Sequence, residues 1–167
     1  MKIFLIGFMG SGKTTLGRKL ANHLGWEFID LDHKLEQQVE LSIAEYFSFF
    51  GEDSFRKLEG EVLRKTIYPM NAVISTGGGL PCFFDNMDWM NQHGKTVYIK
   101  LSPKTLADRL ENGKEERPLL QEKHGDALIA FIEQKLAERE TFYNQANVIA
   151  DGINLTTEKL EQILVAG

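Results

Sequence analysis

The sequence is poor in the residues that build disulfides and metal centres. It has one cysteine, Cys82, so no disulfide can form within the chain. One cysteine and four histidines also leave no spacing that is typical of a zinc site. No apolar run approaches the length that crosses a membrane, and residues 1–10 lack the small-residue cleavage site of a signal peptide. We therefore expect a soluble cytoplasmic protein without a membrane segment.

Basic residues are outnumbered by acidic ones, 19 Lys and Arg against 24 Asp and Glu. The net charge is −5, which argues against a general role in binding nucleic acid or a membrane surface. The chain has 167 residues, of which 43% are hydrophobic and 26% charged, as in one ordinary globular domain. We expect a single domain over 1–167 that acts as a monomer on small molecules.

Short apolar runs alternate with helical patterns along the chain. The runs at 2–7, 26–30, 72–76, 96–101 and 147–150 are continuous, as in parallel strands that are covered on both faces. Leucines four residues apart predict a helix after the first run, and further helices are predicted at about 53–68, 126–143 and 156–165. This alternation predicts an α/β fold with ligands at the carboxyl ends of the strands.

Two regions interrupt the alternation. A helix-rich insertion at about 32–70 is too long for a simple crossover between strands. The segment 111–126 is polar and charged without periodicity, and this pattern predicts a mobile surface loop.

A glycine-rich segment follows the first predicted strand and precedes an amphipathic helix. Its pattern, Gly7-x4-Gly12-Lys13-Thr14, in this context predicts a phosphate-binding loop. Glycines let backbone N–H groups approach phosphate oxygens, Lys13 would reach the β- and γ-phosphates, and Thr14 would bind Mg²⁺. The Asn-Lys-x-Asp and Asp-x-x-Gly motifs of GTP switches are missing from the sequence, which favours a small kinase.

Two carboxylates, Asp30 and Asp32, end the second predicted strand. Alternate residues of an extended segment point the same way, so both can face one site. Such a pair can hold Mg²⁺ and draw the proton from an acceptor hydroxyl. The alternative is that Asp32 only caps the following helix and Asp30 lies in a turn.

The remaining polar candidates each have an ordinary alternative. Arg56 and Glu59 lie three residues apart on a predicted helix, where a pair is usually a weak surface salt bridge. Residues 77–79 are all glycine, and they either make a tight turn or let backbone amides touch a ligand. Arg117 is either solvated or part of a lid that neutralises phosphate charge, and Arg139 either forms a surface ion pair or binds an anion.

The ordered set of motifs resembles the shikimate kinases, P-loop enzymes that use ATP to phosphorylate the 3-hydroxyl of shikimate in the chorismate pathway. The resemblance runs the full length: G-x-x-x-x-G-K-T, D-x-D, F-R-x-x-E, G-G-G, R-P-L-L and R-E-x-x-Y. It implies a three-layer fold with a central five-stranded parallel sheet and helices on both faces. It also implies a substrate-binding insertion at about 32–60 and a mobile lid at about 111–124.

The resemblance further implies a role for individual residues. The implied catalytic residues are Lys13, Asp32 and Arg117, and the implied Mg²⁺ ligands are Thr14, Asp30 and Asp32. The implied ATP-binding residues are Gly10, Ser11, Gly12, Lys13, Thr14, Thr15, Arg109 and Arg117. The implied shikimate-binding residues are Asp32, Phe47, Phe55, Arg56, Glu59, Gly77, Gly78, Gly79 and Arg139, with Arg56 and Arg139 on the carboxylate. The segment 150–157 resembles the family's adenine loop, but it is short and lacks the basic or proline residues of several relatives.

Two other functions fit the phosphate loop alone. One is a small kinase for gluconate or a nucleoside monophosphate, which would not require F-R-x-x-E and R-P-L-L together with the triple glycine. The other is a non-catalytic nucleotide-binding module, but the sequence lacks none of the expected motif residues.

Overall fold

Five parallel strands form one sheet in the computed structural model, which describes residues 1–112 and 123–166. The strands are β1 Lys2–Ile6, β2 Glu27–Asp30, β3 Ala72–Ser75, β4 Lys95–Lys100 and β5 Val148–Asp151, in the order β2-β3-β1-β4-β5. The helices are α1 Lys13–Leu24, α2 Leu31–Val39, α3 Ile43–Lys65, α4 Asn86–His93, α5 Pro103–Glu111, α6 Gly125–Tyr143 and α7 Thr157–Ala166, with a 3₁₀ turn at Leu80–Cys82. The predicted α/β class and five parallel strands are confirmed, each strand within one residue at either end.

Both faces of the sheet are buried, which explains why the strands are continuous apolar runs. In β1, Ile3 and Leu5 belong to one apolar cluster, while Phe4 and Ile6 belong to another. Alternate strand residues point to opposite faces, so the two clusters lie on the two sides of the sheet. The first cluster includes residues of α1 and α7, and the second includes residues of α3 and α6. The predicted three layers follow from this division.

Strand order and register bring three loops to one edge of the sheet. β1 lies between β3 and β4, and Leu5 and Asp30 both pair with Ser75. The segments that follow β1, β2 and β3 therefore begin side by side, at the carboxyl ends where α/β proteins bind ligands. These segments are the glycine-rich loop, the start of α2 and the triple glycine.

The insertion between β2 and β3 consists of α2 and α3. The helix predicted at 53–68 is the second half of α3, which begins ten residues earlier and ends at Lys65. A capping box of Ser42 and Glu45 begins α3, and Gly51, with φ 82° and ψ 174°, breaks it into two parts. Glycine adopts this backbone conformation without the clash that a Cβ would cause.

Both ends of the polar segment 111–126 belong to helices and not to the predicted loop. Glu111 still belongs to α5, and α6 already begins at Gly125. Residues 113–122, which include the predicted lid residue Arg117, lie outside the described residues. Within 1–112 and 123–166, the structure contains no helix that is long and apolar enough to cross a membrane.

Candidate active site

The glycine-rich loop joins β1 to α1 and has the backbone of a phosphate cradle. Gly10 and Gly12 adopt φ values of 82° and 91°, in the left-handed region that favours glycine. Gly12 is the N-cap residue of α1, and no side chain in the described part of the protein caps this helix end. The N–H groups of the first turn are therefore available to an anion, and the helix dipole adds positive potential there.

Lys13 lies folded over this loop. Its side chain is buried, and Nζ donates hydrogen bonds to the carbonyl oxygens of Gly7 at 2.7 Å and Phe8 at 3.1 Å. The ammonium group is thus held beside the free end of α1, where its charge adds to the potential that favours phosphate.

Asp30 and Asp32 do not lie on one extended segment, as the strand pattern predicted, because α2 begins between them. Asp30 ends β2 and caps α2, since its Oδ1 accepts hydrogen bonds from the N–H groups of Asp32 at 3.0 Å and His33 at 3.4 Å. Asp32 lies in the first turn of α2, so the alternation of an extended segment does not align the two carboxylates. The capping residue is therefore Asp30 and not Asp32. Its second oxygen, Oδ2, lies 3.5 Å from Thr14 Oγ1 on α1.

Arg56 and Glu59 form a buried ion pair rather than a surface salt bridge. Arg56 Nη1 lies 2.8 Å from Glu59 Oε1, and the two side chains are only 5% and 3% exposed. A second carboxylate, that of Glu52, accepts from Arg56 Nη2 at 3.2 Å. These bonds restrict the guanidinium from one side and leave further N–H groups for a ligand.

Burial changes the acidity of Glu59. The loss of solvent raises its pKa from the ordinary 4.5 to about 7, and the negative charge of Asp32 acts in the same direction. The positive charges of Arg56 and Arg139 lower the pKa, so they offset only part of the increase. The site therefore holds a carboxyl group that titrates near neutral pH.

The three glycines after β3 make room for these side chains. A Cβ at Gly77 would lie 2.7 Å from Glu59 Oε2 and 2.9 Å from Asp32 Oδ1. A Cβ at Gly79 would lie 2.5 Å from Arg56 Nη1, closer than any real contact. At Gly78 it would approach the Met9 N–H at 3.2 Å and Arg139 Nη1 at 3.5 Å. The absence of side chains at residues 77–79 therefore lets Asp32, Arg56 and Glu59 pack directly against the backbone. The two predicted roles of the glycines, a tight turn and backbone contact with a ligand, did not include this packing role.

Arg139 reaches the same place from α6. It is buried, and its Nη1 has no hydrogen-bond partner in the described part of the chain. One turn later on α6, the Tyr143 hydroxyl donates to the Gly78 carbonyl oxygen at 2.5 Å, which ties the glycine segment to this helix. A buried cation with an unsatisfied donor is expensive unless an anion binds there. Arg139 therefore does not form the surface ion pair that its sequence context allowed.

One cavity of about 650 Å³ connects these groups. Phe47 and Phe55 form an apolar part of its wall, with ring centroids 5.6 Å apart. Its predicted lining residues are Gly10, Gly12, Lys13, Thr14, Thr15, Asp30, Asp32, Phe47, Phe55, Arg56, Glu59, Gly77, Gly78, Gly79 and Arg139. All predicted shikimate-binding residues therefore line the same space as the phosphate loop.

A second cavity of about 370 Å³ lies on the other side of the loop. Arg109 of α5 lines it together with Ser11, Gly12 and Thr15, so the remaining described residues of the predicted ATP set meet here. The opposite wall comes from Gly152 and residues 155–158, around the start of α7.

Comparison with known proteins identifies the chain. The family model for shikimate kinase matches residues 9–166. The chain belongs to the shikimate kinase family. A shikimate kinase of Bacteroides fragilis is 50% identical over 149 residues, which cover 89% of this chain and 83% of that protein.

Solved structures of shikimate kinases have the same fold as this family member. The crystal structure of the Bacteroides thetaiotaomicron enzyme superposes with a TM-score of 0.94 at 43% identity, over 99% of this chain and 98% of that one. The Acinetobacter baumannii shikimate kinase in complex with shikimate gives a TM-score of 0.88 at 32% identity, over 99% and 93% of the two chains. As a shikimate kinase, the protein is an enzyme of the kinase class.

Sequence analysis missed several parts of this shikimate kinase site. Glu52 precedes Arg56 by four residues, and that spacing was a usable signal for a helical pair. The hydrogen bond from Tyr143 to Gly78 spans 65 residues, and no local pattern indicates it. The second cavity is lined by Gly152 and residues 155–157 of the segment 150–157 that resembles the adenine loop, but the sequence did not indicate which of its residues line the cavity.

Proposed function

We propose that this chain transfers the γ-phosphoryl group of ATP to the 3-hydroxyl of shikimate, giving shikimate 3-phosphate and ADP. The observation that carries the proposal is the shared cavity of the phosphate loop and the two buried arginines. The Met9 N–H and Arg139 Nη1 both lie within 3.5 Å of the point that a Gly78 Cβ would occupy. Donor and acceptor sites thus adjoin, as direct in-line transfer requires.

The donor half is the loop with the second cavity. The N–H groups between Gly10 and Thr15 would bind the phosphates, and Lys13 would leave its carbonyl partners to follow the charge of the transferred group. The adenine would occupy the second cavity against Arg109. Arg117, which lies outside the described residues, is proposed to add a further positive charge to the transferring phosphate.

The residues present fit a magnesium ion between the two halves. Thr14 Oγ1 and Asp30 Oδ2 are hard oxygen donors 3.5 Å apart, with Asp32 on the same cavity. No cluster of three or more His, Cys, Asp or Glu side chains that could hold a metal occurs among the described residues. Mg²⁺ in ATP-using enzymes takes one or two protein ligands and fills its shell with water and phosphate oxygens. When bound, it would neutralise the charge that develops on the phosphates.

The acceptor half recognises shikimate by charge and shape. Arg56 and Arg139 present planar N–H groups that match the geometry of a carboxylate. Phe47 and Phe55 provide apolar contact for the ring, and the Gly78 backbone lies against its other side. An uncharged acceptor would leave the buried Arg139 Nη1 without a partner and the remaining N–H groups of Arg56 unused, which explains selectivity for a carboxylated substrate.

The reaction itself needs little covalent chemistry from the protein. Asp32 would orient the acceptor hydroxyl and receive its proton as the new bond to phosphorus forms. The transition state of phosphoryl transfer is loose, so positioning and charge stabilisation account for most of the rate. The N–H groups at the start of α1 would supply that stabilisation from fixed positions, and Lys13 would add its positive charge as it follows the transferred group.

An ADP-release assay against a panel of acceptors tests the proposal. Shikimate should give turnover, whereas quinate, gluconate and nucleoside monophosphates should give little. Turnover with gluconate or a nucleotide instead of shikimate would refute the assignment. We also propose that the enzyme works as a monomer in the cytoplasm, which light scattering and cell fractionation would test.

A further inference from the structure

The guanidinium group of Arg56 packs against the aromatic ring of Phe83. Its guanidinium carbon lies 4.5 Å from the ring centroid of Phe83 and 5.2 Å from that of Phe55. Phe55 lines the main cavity, whereas Phe83 is not among the residues that line it. Phe83 therefore touches the guanidinium without reaching the space that a substrate would occupy.

The segment that carries Phe83 is fastened at both ends. The Phe83 carbonyl oxygen accepts from the Asn86 N–H at 3.2 Å, and Asn86 Nδ2 donates to the Leu80 carbonyl oxygen at 2.8 Å. Asn86 is fully buried, and its Oδ1 accepts from Arg64 Nη1 of α3 at 2.7 Å. Both ends of the Asn86 amide are thus satisfied, so the network fixes one conformation of residues 80–86.

A strained residue turns this segment. Phe84 has a φ of 52°, a left-handed conformation that is unfavourable for an aromatic residue. Its own side chain is 64% exposed, so the conformation is not maintained by burial of Phe84. The turn places the adjacent Phe83 ring against Arg56 instead. The unfavourable backbone conformation of Phe84 therefore lies in the same segment, residues 80–86, that holds the Phe83 ring against the Arg56 guanidinium.

We propose that Phe83 is a positioning residue that orients the Arg56 guanidinium for the substrate carboxylate. The inference rests on the proposed role of Arg56 in shikimate binding. A ring face attracts a guanidinium and limits its rotation, so the free enzyme already holds the bound orientation. Loss of the ring should therefore weaken shikimate binding, while the phosphate loop, which Phe83 does not contact, keeps its affinity for ATP.

The first test separates binding from catalysis. Phe83→Ala should raise KM for shikimate by about tenfold, the upper part of the range for one cation–π contact, with kcat and KM for ATP within about twofold. Phe83→Tyr keeps the ring and should restore KM. Ile67→Ala, which removes an exposed apolar side chain outside this segment, serves as the control. If Phe83→Ala does not fold, Phe83→Leu, which fills the space without an aromatic face, takes its place and should show the same increase.

The second test shows whether Phe83 acts through Arg56. In the Arg56→Met background, which leaves no cation at this position, removal of the Phe83 ring should have less than a twofold further effect on KM. An additive effect would overturn the inference, because it would indicate a general structural role. An increase in KM with Arg56→Met but none with Phe83→Ala would overturn the inference and leave the proposed function intact. No effect of either change would refute the carboxylate clamp itself and the inference with it.

Discussion

Replacement of Arg139 by methionine should change stability and substrate binding in opposite directions. Arg139 is a buried cation whose Nη1 has no hydrogen-bond partner in the described structure. A buried donor without a partner costs about 1–3 kcal/mol. Methionine has a similar length and no charge, so Arg139→Met removes that cost, and it loses the attraction to Glu59 and the cation–π contact with the Phe8 ring, whose centroid lies 5.4 Å from the guanidinium carbon. We expect the ligand-free protein to gain about 1 kcal/mol in unfolding free energy.

The same substitution removes a proposed partner of the shikimate carboxylate. A hydrogen bond to a charged group contributes about 1.5–3 kcal/mol, which corresponds to a loss of affinity of roughly 10- to 150-fold. ATP binding should persist because the phosphate loop keeps its geometry and Lys13 its carbonyl partners. Arg139→Lys should bind shikimate with intermediate affinity, because it keeps the charge but not the planar fork.

Calorimetric titration with shikimate and chemical unfolding measure the two effects on the same sample. Shikimate affinity within twofold of the wild-type value would refute the proposed role of Arg139. A lower unfolding free energy for Arg139→Met, with weakened binding, would refute the reasoning that the unpaired cation destabilises the free enzyme.

Three further predictions concern the loop, the triple glycine and the buried carboxyl group. Lys13→Ala should lower kcat by at least about a hundredfold with a retained fold in circular dichroism, and activity near the wild-type level would contradict the cradle assignment. Gly79→Ala should raise KM for shikimate about tenfold or more, because its Cβ would lie 2.5 Å from Arg56 Nη1 while the φ of −91° suits alanine. An unchanged KM would show that the guanidinium can move without loss. Burial raises the pKa of Glu59 to about 7, so the folded state favours its protonated form. Its contribution to stability is present below pH 4.5 and is lost as the pH rises through 7, by up to about 3 kcal/mol. Unfolding titrations of wild type and Glu59→Gln across this range should therefore diverge, and parallel curves would contradict the prediction.

The sheet could be predicted from the sequence because its physical cause is local. Each strand of a doubly covered parallel sheet is a continuous apolar run, and Ile3 to Ile6 show why, with neighbours buried on opposite faces. The helix α5 was missed although Ser102 caps it and Pro103 occupies its first position, a recognised start signal. The helix α4 carries no side-chain cap and mixes polar with apolar residues, so its start was weakly marked.

The candidate site was only partly predictable because burial depends on distant segments. The spacing of Arg56 and Glu59 indicates a helical pair, but not that the helix buries both side chains against the segment after β3. The pairing of Asp30 and Asp32 was predicted from an extended geometry that is wrong, since a helix begins between them. The space that Gly77 provides becomes visible only when α2 and α3 are folded against it.

The two carboxylate oxygens of Asp30 contact different parts of the site, one the start of α2 and the other Thr14 on α1. Oδ1 holds the first turn of α2, which carries Asp32, and Oδ2 faces Thr14 at the nucleotide end. A shift of this carboxylate toward a cation at Thr14 would weaken the cap of α2, and a tightening of α2 would draw the carboxylate back. If the cation and shikimate bind as proposed, we expect the affinities for the two substrates to be linked through this side chain, and reciprocity then requires that each substrate alters the binding of the other by the same factor.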